Sequence, residues 1–161
     1  VINEANDELD ELTSNGEELA RPMQRAVRNI MWQHCGVVRN GPSIDEGLVK
    51  IAELRESAKD VDVRPSAEGF GDLTLALDLM GAIDSAEATL RGARERRESR
   101  GSHQRLDFES IDPDQRVNYV IELDSQGGQQ ISRQPVEAVP DYLAERFESF
   151  VEPEIEGRLL E

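Results

Sequence analysis

From Asp72 to about Arg100 no proline interrupts the chain. At about 1.5 Å per residue such a run predicts a helix of about 43 Å, longer than any other element in this sequence. Its apolar residues fall in two stripes, Leu73-Leu77-Met80 and Leu75-Leu79-Ala82-Ile83-Ala86-Leu90-Ala93. One stripe serves one partner helix. Two stripes predict a helix packed on both sides, the central member of a bundle.

Two partners are available upstream. Leu19, Met23, Ala26 or Val27, Ile30, and Met31 or His34 recur at helical spacing and predict a first helix from about residue 18 to 39. Pro22 is tolerable near its start, and Asn40-Gly41-Pro42 ends it. Ser43 followed by Glu46 reads as a capping box. Leu48, Ile51, Ala52, Leu54 and Ala58 then give the buried stripe of a second helix to about Lys59. Residues 60 to 71, with Pro65, Gly69 and Gly71, read as a loop.

After Gly101 the periodicity changes. Val117, Tyr119, Ile121 and Leu123 alternate with polar residues, Asp124 to Gly128 carries turn chemistry, and a weaker strand follows around Gln130 to Pro135. The expected fold is therefore mainly α, an antiparallel three-helix bundle with a long third helix and a C-terminal β-hairpin extension. Its expected organisation is a flexible acidic lead-in over 1–16, the bundle and its following loop over 17–116, and the hairpin with a short helix over 117–150. The tail over 151–161 reads equally as native acidic chain or as a protease-linker and tag remnant.

Charge narrows the partners. The chain holds 34 acidic and 18 basic residues for a net charge of -16. Phosphate backbones and anionic lipid would repel it, so neither nucleic-acid binding nor direct membrane insertion is expected. No apolar stretch approaches the roughly 20 residues of a membrane span. A single cysteine, Cys35, excludes an internal disulfide and is compatible with a reducing compartment.

Catalytic constellations are missing. The glycines are scattered, with no phosphate cradle between a strand and a helix. Only His34 and His103 could offer imidazole to a metal, and adjacent His34 and Cys35 do not share a helical face. His34 reads as a packing or hydrogen-bonding residue, Cys35 as a core filler, and Trp32 as a core anchor or interface residue. The expectation is no catalytic, cofactor-binding or metal-binding residue in this chain.

One segment is dense in special residues. Arg94-Glu95-Arg96-Arg97-Glu98-Ser99-Arg100-Gly101 runs into Ser102-His103-Gln104-Arg105-Leu106-Asp107-Phe108. Arginines in a last helical turn complement the negative end of the dipole, and Gly101 suits a left-handed terminator. That accounts for Arg96, Arg97 and Gly101 and leaves Ser99, His103, Arg105, Asp107 and Phe108 unexplained.

Glu98 to Phe108 resembles the Glu-Ser-Arg-Gly-x-His-x-Arg-x-Asp-(Phe or Tyr)-Pro motif of the C-terminal helical domain of succinate dehydrogenase, fumarate reductase and L-aspartate oxidase flavoproteins. Glu109 stands at the proline position, and Gln104 where an aromatic residue is frequent. Met31 to Arg39 is similar to that family's Met-x-x-x-x-Gly-(Ile/Val)-(Phe/Val)-Arg helix end, and Ile44 to Leu54 to its second helix.

The resemblance implies a three-helix bundle that follows flavin-binding and capping domains. It implies that flavin attachment, hydride transfer and dicarboxylate binding belong to those domains, with no cofactor in this chain and FAD in the parent protein. The implied parent exchanges hydride between a C4 dicarboxylate and FAD and passes electrons to an iron–sulfur subunit. It would be cytoplasmic, at the inner face of the membrane through partner subunits. This chain's partner is then the flavin-binding domain of the same polypeptide. Glu98, Ser99, Arg100, Gly101, His103, Arg105, Asp107 and Phe108 form a structural motif on this reading, knitting the long helix to the loop beneath it. An L-aspartate oxidase parent is the alternative, and a free-standing acidic interaction module is the alternative of another class.

Overall fold

The computed structural model describes residues 2–13, 16–64 and 72–143. Three helices make the bundle: α2 (Ala20–His34), α3 (Gly41–Ser57) and α4 (Leu73–Glu95). They are preceded by α1 (Ile2–Leu12), where the acidic lead-in was expected to be flexible. A two-residue strand β1 (Val38–Arg39) joins α2 to α3, and its partner β2 (Gln104–Arg105) lies beyond α4. The hairpin β3 (Val117–Leu123) and β4 (Gln129–Pro135) follows, antiparallel in the register Val117 to Pro135 through Leu123 to Gln129. The mainly helical fold with its C-terminal hairpin is the one expected.

Helix α4 packs against both α2 and α3, as its two stripes require. Ala76, Leu79, Ile83, Ala86, Leu90 and Ala93 are buried along it. Leu77 and Met80 are exposed, so the shorter stripe is only partly used. Ala20, Met23 and Val27 of α2 and Ile44 and Ile51 of α3 complete the centre, with Val61 and Val63 beside them. Leu19, just before α2, and Ala52 of α3 are exposed rather than buried. The closest approach of the bundle helices falls on a small residue. In α3 that residue is Gly47, where an added Cβ would stand 2.7 Å from His34 Cβ and 3.0 Å from Leu90 Cδ2. All three bundle helices meet at this point, and no side chain fits between them.

Helix boundaries depart from expectation in physically legible ways. Asn40 caps α3: its side-chain oxygen accepts from the Ser43 amide at 2.9 Å, which displaces the capping box expected at Ser43 and Glu46. Pro42 thus sits in the first turn, where its missing N–H costs nothing. Helix α4 stops at Glu95, and Arg96 already has extended geometry (φ -76°, ψ 101°). Gly101 does adopt positive φ, +57°, but it serves a tight turn in which Arg100 and His103 exchange backbone hydrogen bonds. Trp32 is 84% exposed and so is no core anchor. The loop expected around Pro65, Gly69 and Gly71 falls mainly on residues 65–71, and the short helix over 141–150 mostly on residues 144–150, both outside the described residues.

Leu79→Ala or Ile83→Ala should cost roughly 2–4 kcal/mol, because each side chain is fully enclosed. Urea unfolding followed by circular dichroism measures it. A change under about 0.5 kcal/mol at both positions is what a solvent-facing residue would give, and it would contradict this core.

Candidate functional site: the loop between two helix ends

Helix α4 ends with unpaired carbonyls, and α3 begins with unpaired amides, in the same neighbourhood. The loop over 98–108 fills both. Arg105 is 3% exposed, and its Nη1 donates to the carbonyls of Ala93 at 2.8 Å and Arg96 at 3.1 Å. Its other two nitrogens form a two-point pair with Asp107, Nε to Oδ1 and Nη2 to Oδ2, both at 2.7 Å. Asp107 Oδ2 in turn accepts from the Gly41 amide at 2.9 Å. One guanidinium therefore meets the negative end of α4, and its carboxylate partner meets the positive end of α3. Donation from Arg105 holds the Asp107 carboxyl well below the usual carboxylate range.

The backbone repeats the connection. Strands β1 and β2 pair in parallel, Val38 with Gln104 and Arg39 with Arg105. Ser99 Oγ accepts from the Arg105 amide at 2.8 Å and donates to the Phe108 carbonyl at 2.9 Å. The Phe108 ring lies 5.0 Å from the Arg105 guanidinium.

Glu98 is the second centre and is fully buried. Its Oε1 accepts from Arg96 at 2.5 Å and Arg100 at 2.9 Å; Oε2 accepts from Arg100 at 3.0 Å and the Asp112 amide at 2.9 Å. Burial by itself would raise this carboxyl, but donation from Arg100, the Asp112 amide and Arg96 outweighs it and holds the group at about 2. Arg96 also donates to the carbonyls of Gln115 and Val117 and stacks 4.9 Å from the Tyr119 ring, so the pair carries the hairpin with it.

His103 has a defined tautomer. Arg39 Nη1 lies 2.7 Å from its Nδ1, and a guanidinium can only donate, so Nδ1 is the acceptor. The proton then sits on Nε2 and is donated to the Arg96 carbonyl at 3.1 Å. Burial and the nearby charges of Arg39, Arg105 and Arg96 push its pKa down. The same logic applies to His34, buried in the bundle. Lys50 donates to its Nε2 and Nδ1–H donates to Ser43 Oγ, both at 3.1 Å.

All eight residues of the sequence motif thus fall in one place, with Gly101 supplying the turn. The helix-end role given to Arg96 and Arg97 belongs to Arg105 instead. The cause is geometric: α4 ends before Arg96, whose side chain is drawn to Glu98. Sequence reasoning missed Gln115, which is buried, accepts from the Arg97 amide at 3.0 Å and from Tyr119 Oη at 2.9 Å. A lone glutamine before a strand gives no pattern to find. Arg39 was noticed as the end of a motif but had no assigned partner.

Every carboxylate and imidazole in this loop is committed to a structural hydrogen bond. No group of three or more His, Cys, Asp or Glu with metal-site geometry occurs among the described residues. FAD has no fitting cradle there either: the one parallel pair of strands among the described residues is two residues long, and the α3 N-terminus that could hold a phosphate is filled by Asp107.

Arg105→Ala should remove about 3–5 kcal/mol from the unfolding free energy, since it strands a carboxylate and the last carbonyls of α4. Arg105→Lys should recover little, having one donor centre for several acceptors. Chemical denaturation of the three proteins checks both. Acid sensitivity follows from Glu98, whose folded value lies below its unfolded one near 4.5. Its contribution, on the order of 3 kcal/mol, is complete above about pH 4.5 and fades as pH falls toward about 2. Asp107 acts in the same direction. Glu98→Gln should be less stable at pH 7 and should flatten that acid limb in a pH series of denaturation curves.

Comparison with known proteins matches residues 24–146 to the family described as the fumarate reductase flavoprotein C-terminus. The fumarate reductase flavoprotein subunit of Haemophilus influenzae is 34% identical over 106 residues, 65% of this chain and 17% of that protein. The succinate dehydrogenase flavoprotein subunit of Rickettsia felis is 31% identical over 125 residues, 76% of this chain and 21% of that protein. Among solved structures, the FrdA subunit of E. coli quinol fumarate reductase superposes with a TM-score of 0.76 at 25% identity, covering 86% of this chain and 25% of that one. The chain spans about a fifth of the length of the relatives it matches. It belongs to the family of C-terminal domains of succinate dehydrogenase and fumarate reductase flavoprotein subunits.

Proposed function

We infer that this chain is the non-catalytic C-terminal part of an FAD-dependent succinate dehydrogenase or fumarate reductase-type flavoprotein, and that it packs against the flavin-binding portion and supports assembly. The parent reaction is hydride exchange between a C4 dicarboxylate and FAD, with electrons passed to an iron–sulfur subunit. Such a protein reaches the membrane surface through its partners. No helix among the described residues is long and apolar enough to cross a membrane.

The observation that carries this reading is the closed accounting of the loop. Both oxygens of Asp107, both nitrogens of His103 and both oxygens of Glu98 already have partners within the chain. A catalytic acid or base is aimed at substrate, whereas each of these groups is engaged by donors or acceptors of the chain itself. The two relatives named above also carry succinate and fumarate names, which favours that parent over an aspartate oxidase.

The purified chain should be colourless, and desalting after incubation with FAD should leave no flavin absorbance. A retained flavin band would overturn the reading. In the full parent subunit, Arg105→Ala should lower the yield of assembled protein and leave the dicarboxylate affinity of the surviving molecules nearly unchanged. An Arg105→Ala parent that assembles normally and loses turnover would place this loop in the active site.

A further inference from the structure

Six cationic side chains among the described residues are not exposed: Arg39, Lys50, Arg55, Arg91, Arg96 and Arg105. Five have a carboxylate partner, respectively Glu46 for Lys50, Asp84 and Glu87 for Arg55, Glu87 for Arg91, Glu98 for Arg96 and Asp107 for Arg105. Arg39 is paired with no carboxylate among the described residues. Its Nε donates to the Gly36 carbonyl at 2.5 Å and its Nη1 to His103 at 2.7 Å, and neither acceptor carries charge. A guanidinium has five N–H groups, so one on Nη1 and both on Nη2 remain to be used. Carboxylates are not scarce in a chain with 34 acidic residues. A half-buried guanidinium has lost part of its hydration and gains most from an anion.

Arg39 lines a cleft of about 330 Å³ between α4 and β3, together with Arg96 and His103. No aspartate or glutamate lines it. Glu98 neutralises Arg96, and His103 uses both ring nitrogens within the chain, so the cleft is left with one uncompensated positive charge. Another cleft, over Arg91 and Arg94, is different: Glu87 and Asp45 line it and pair with those arginines. Ala88 and Gly92 of α4 and Ile121 of β3 give the Arg39 cleft an apolar wall. Gly92 is the half-buried glycine of α4, in a helix interior where glycine costs stability. A Cβ added there would meet only Ile121 Cδ1, at 4.0 Å. Packing therefore does not require glycine at this position. Its effect is to leave the cleft open.

We propose that this cleft is a binding site for a small aliphatic monocarboxylate, whose carboxylate accepts from the free N–H groups of Arg39 and whose hydrocarbon part lies along Gly92 and Ile121. Three observations choose this class. A planar guanidinium with N–H groups to spare on adjacent nitrogens matches the two oxygens of a carboxylate. One uncompensated cation matches one anionic group; a second charge on the ligand would fall on the apolar wall, inside a chain of net charge -16. The cleft, at about 330 Å³, has the size of a small-ligand site and takes a chain of a few carbons.

Titration of the 161-residue chain with butyrate at constant ionic strength, followed by the amide resonances of Gly92 and Asn118 and the Arg39 Nε–H signal, tests this. Saturable shifts at millimolar concentration are expected. Butyrate should bind more tightly than acetate, by up to roughly fourfold for each methylene that is buried. Succinate and phosphate should bind more weakly than butyrate. Arg39→Gln should weaken butyrate binding by roughly tenfold or more, and Arg28→Gln, at an exposed arginine of α2, should leave it unchanged. Gly92→Leu separates binding from folding. It replaces glycine by a strong helix former and fills the cleft, so the thermal midpoint should hold or rise while butyrate binding is lost. The absence of saturable shifts, or shifts that survive either Arg39→Gln or Gly92→Leu, would overturn the proposal. Tighter binding of succinate or phosphate than of butyrate would overturn the monocarboxylate assignment. Equilibrium dialysis of labelled butyrate against the full parent subunit, less what its Gly92→Leu variant retains, should still show binding. Its loss there would mean that the remaining polypeptide covers the cleft, and would overturn the assignment to a free ligand.

Discussion

The bundle depends on how two helix ends of opposite polarity are joined. Helix α4 presents carbonyls and α3 presents amides, and leaving either set buried without partners costs more than a typical hydrogen bond gains. A single ion pair answers both, because Arg105 faces the carbonyls and Asp107 faces the Gly41 amide. Charge, dipole and hydrogen-bond geometry agree at each end. The desolvation that usually makes a buried pair a poor source of stability is offset here by helix ends that would otherwise be orphaned.

The second buried acid extends the same principle outward. Glu98 gathers Arg96, Arg100 and the Asp112 amide, and Arg96 passes the connection to the hairpin through Val117 and Tyr119. The hairpin is also fastened along α4, by Tyr119 to the Glu95 carbonyl and by Gln129 to the Asp84 carbonyl. A two-stranded sheet has little stability of its own. This one is held by the helix it lies on.

The long elements were legible because periodicity is a global property of a segment. The seam through Leu79, Ile83, Ala86 and Leu90 could be read from spacing, as could the alternation from Val117 to Leu123. Ends were not, because they are decided by contacts with residues far along the chain. Nothing near Glu95 announces that the helix stops there. It stops because Arg105 takes its last carbonyls and Glu98 pulls Arg96 out of helical geometry. The α3 cap was misplaced by three residues for a related reason: Ser43 and Glu46 fit the local rule, but Asn40 and Asp107 together reach the amides first. The dense loop was visible as a motif, and its residues converge, yet which arginine caps which end required three dimensions. Gln115 left no trace in one dimension.

The order in which the chain is made gives the Arg105–Asp107 pair a further meaning. A ribosome delivers α2, α3 and α4 before either residue of the pair, so the three helices exist for a time with both facing ends uncapped. The apolar seam can gather them, but the joint between α4 and α3 stays loose until the chain has been extended through Asp107. The hairpin then arrives onto a bundle that has just been fastened. A chain broken off before Asp107 therefore has its core residues and lacks its fastening, and both facing helix ends are left to fray.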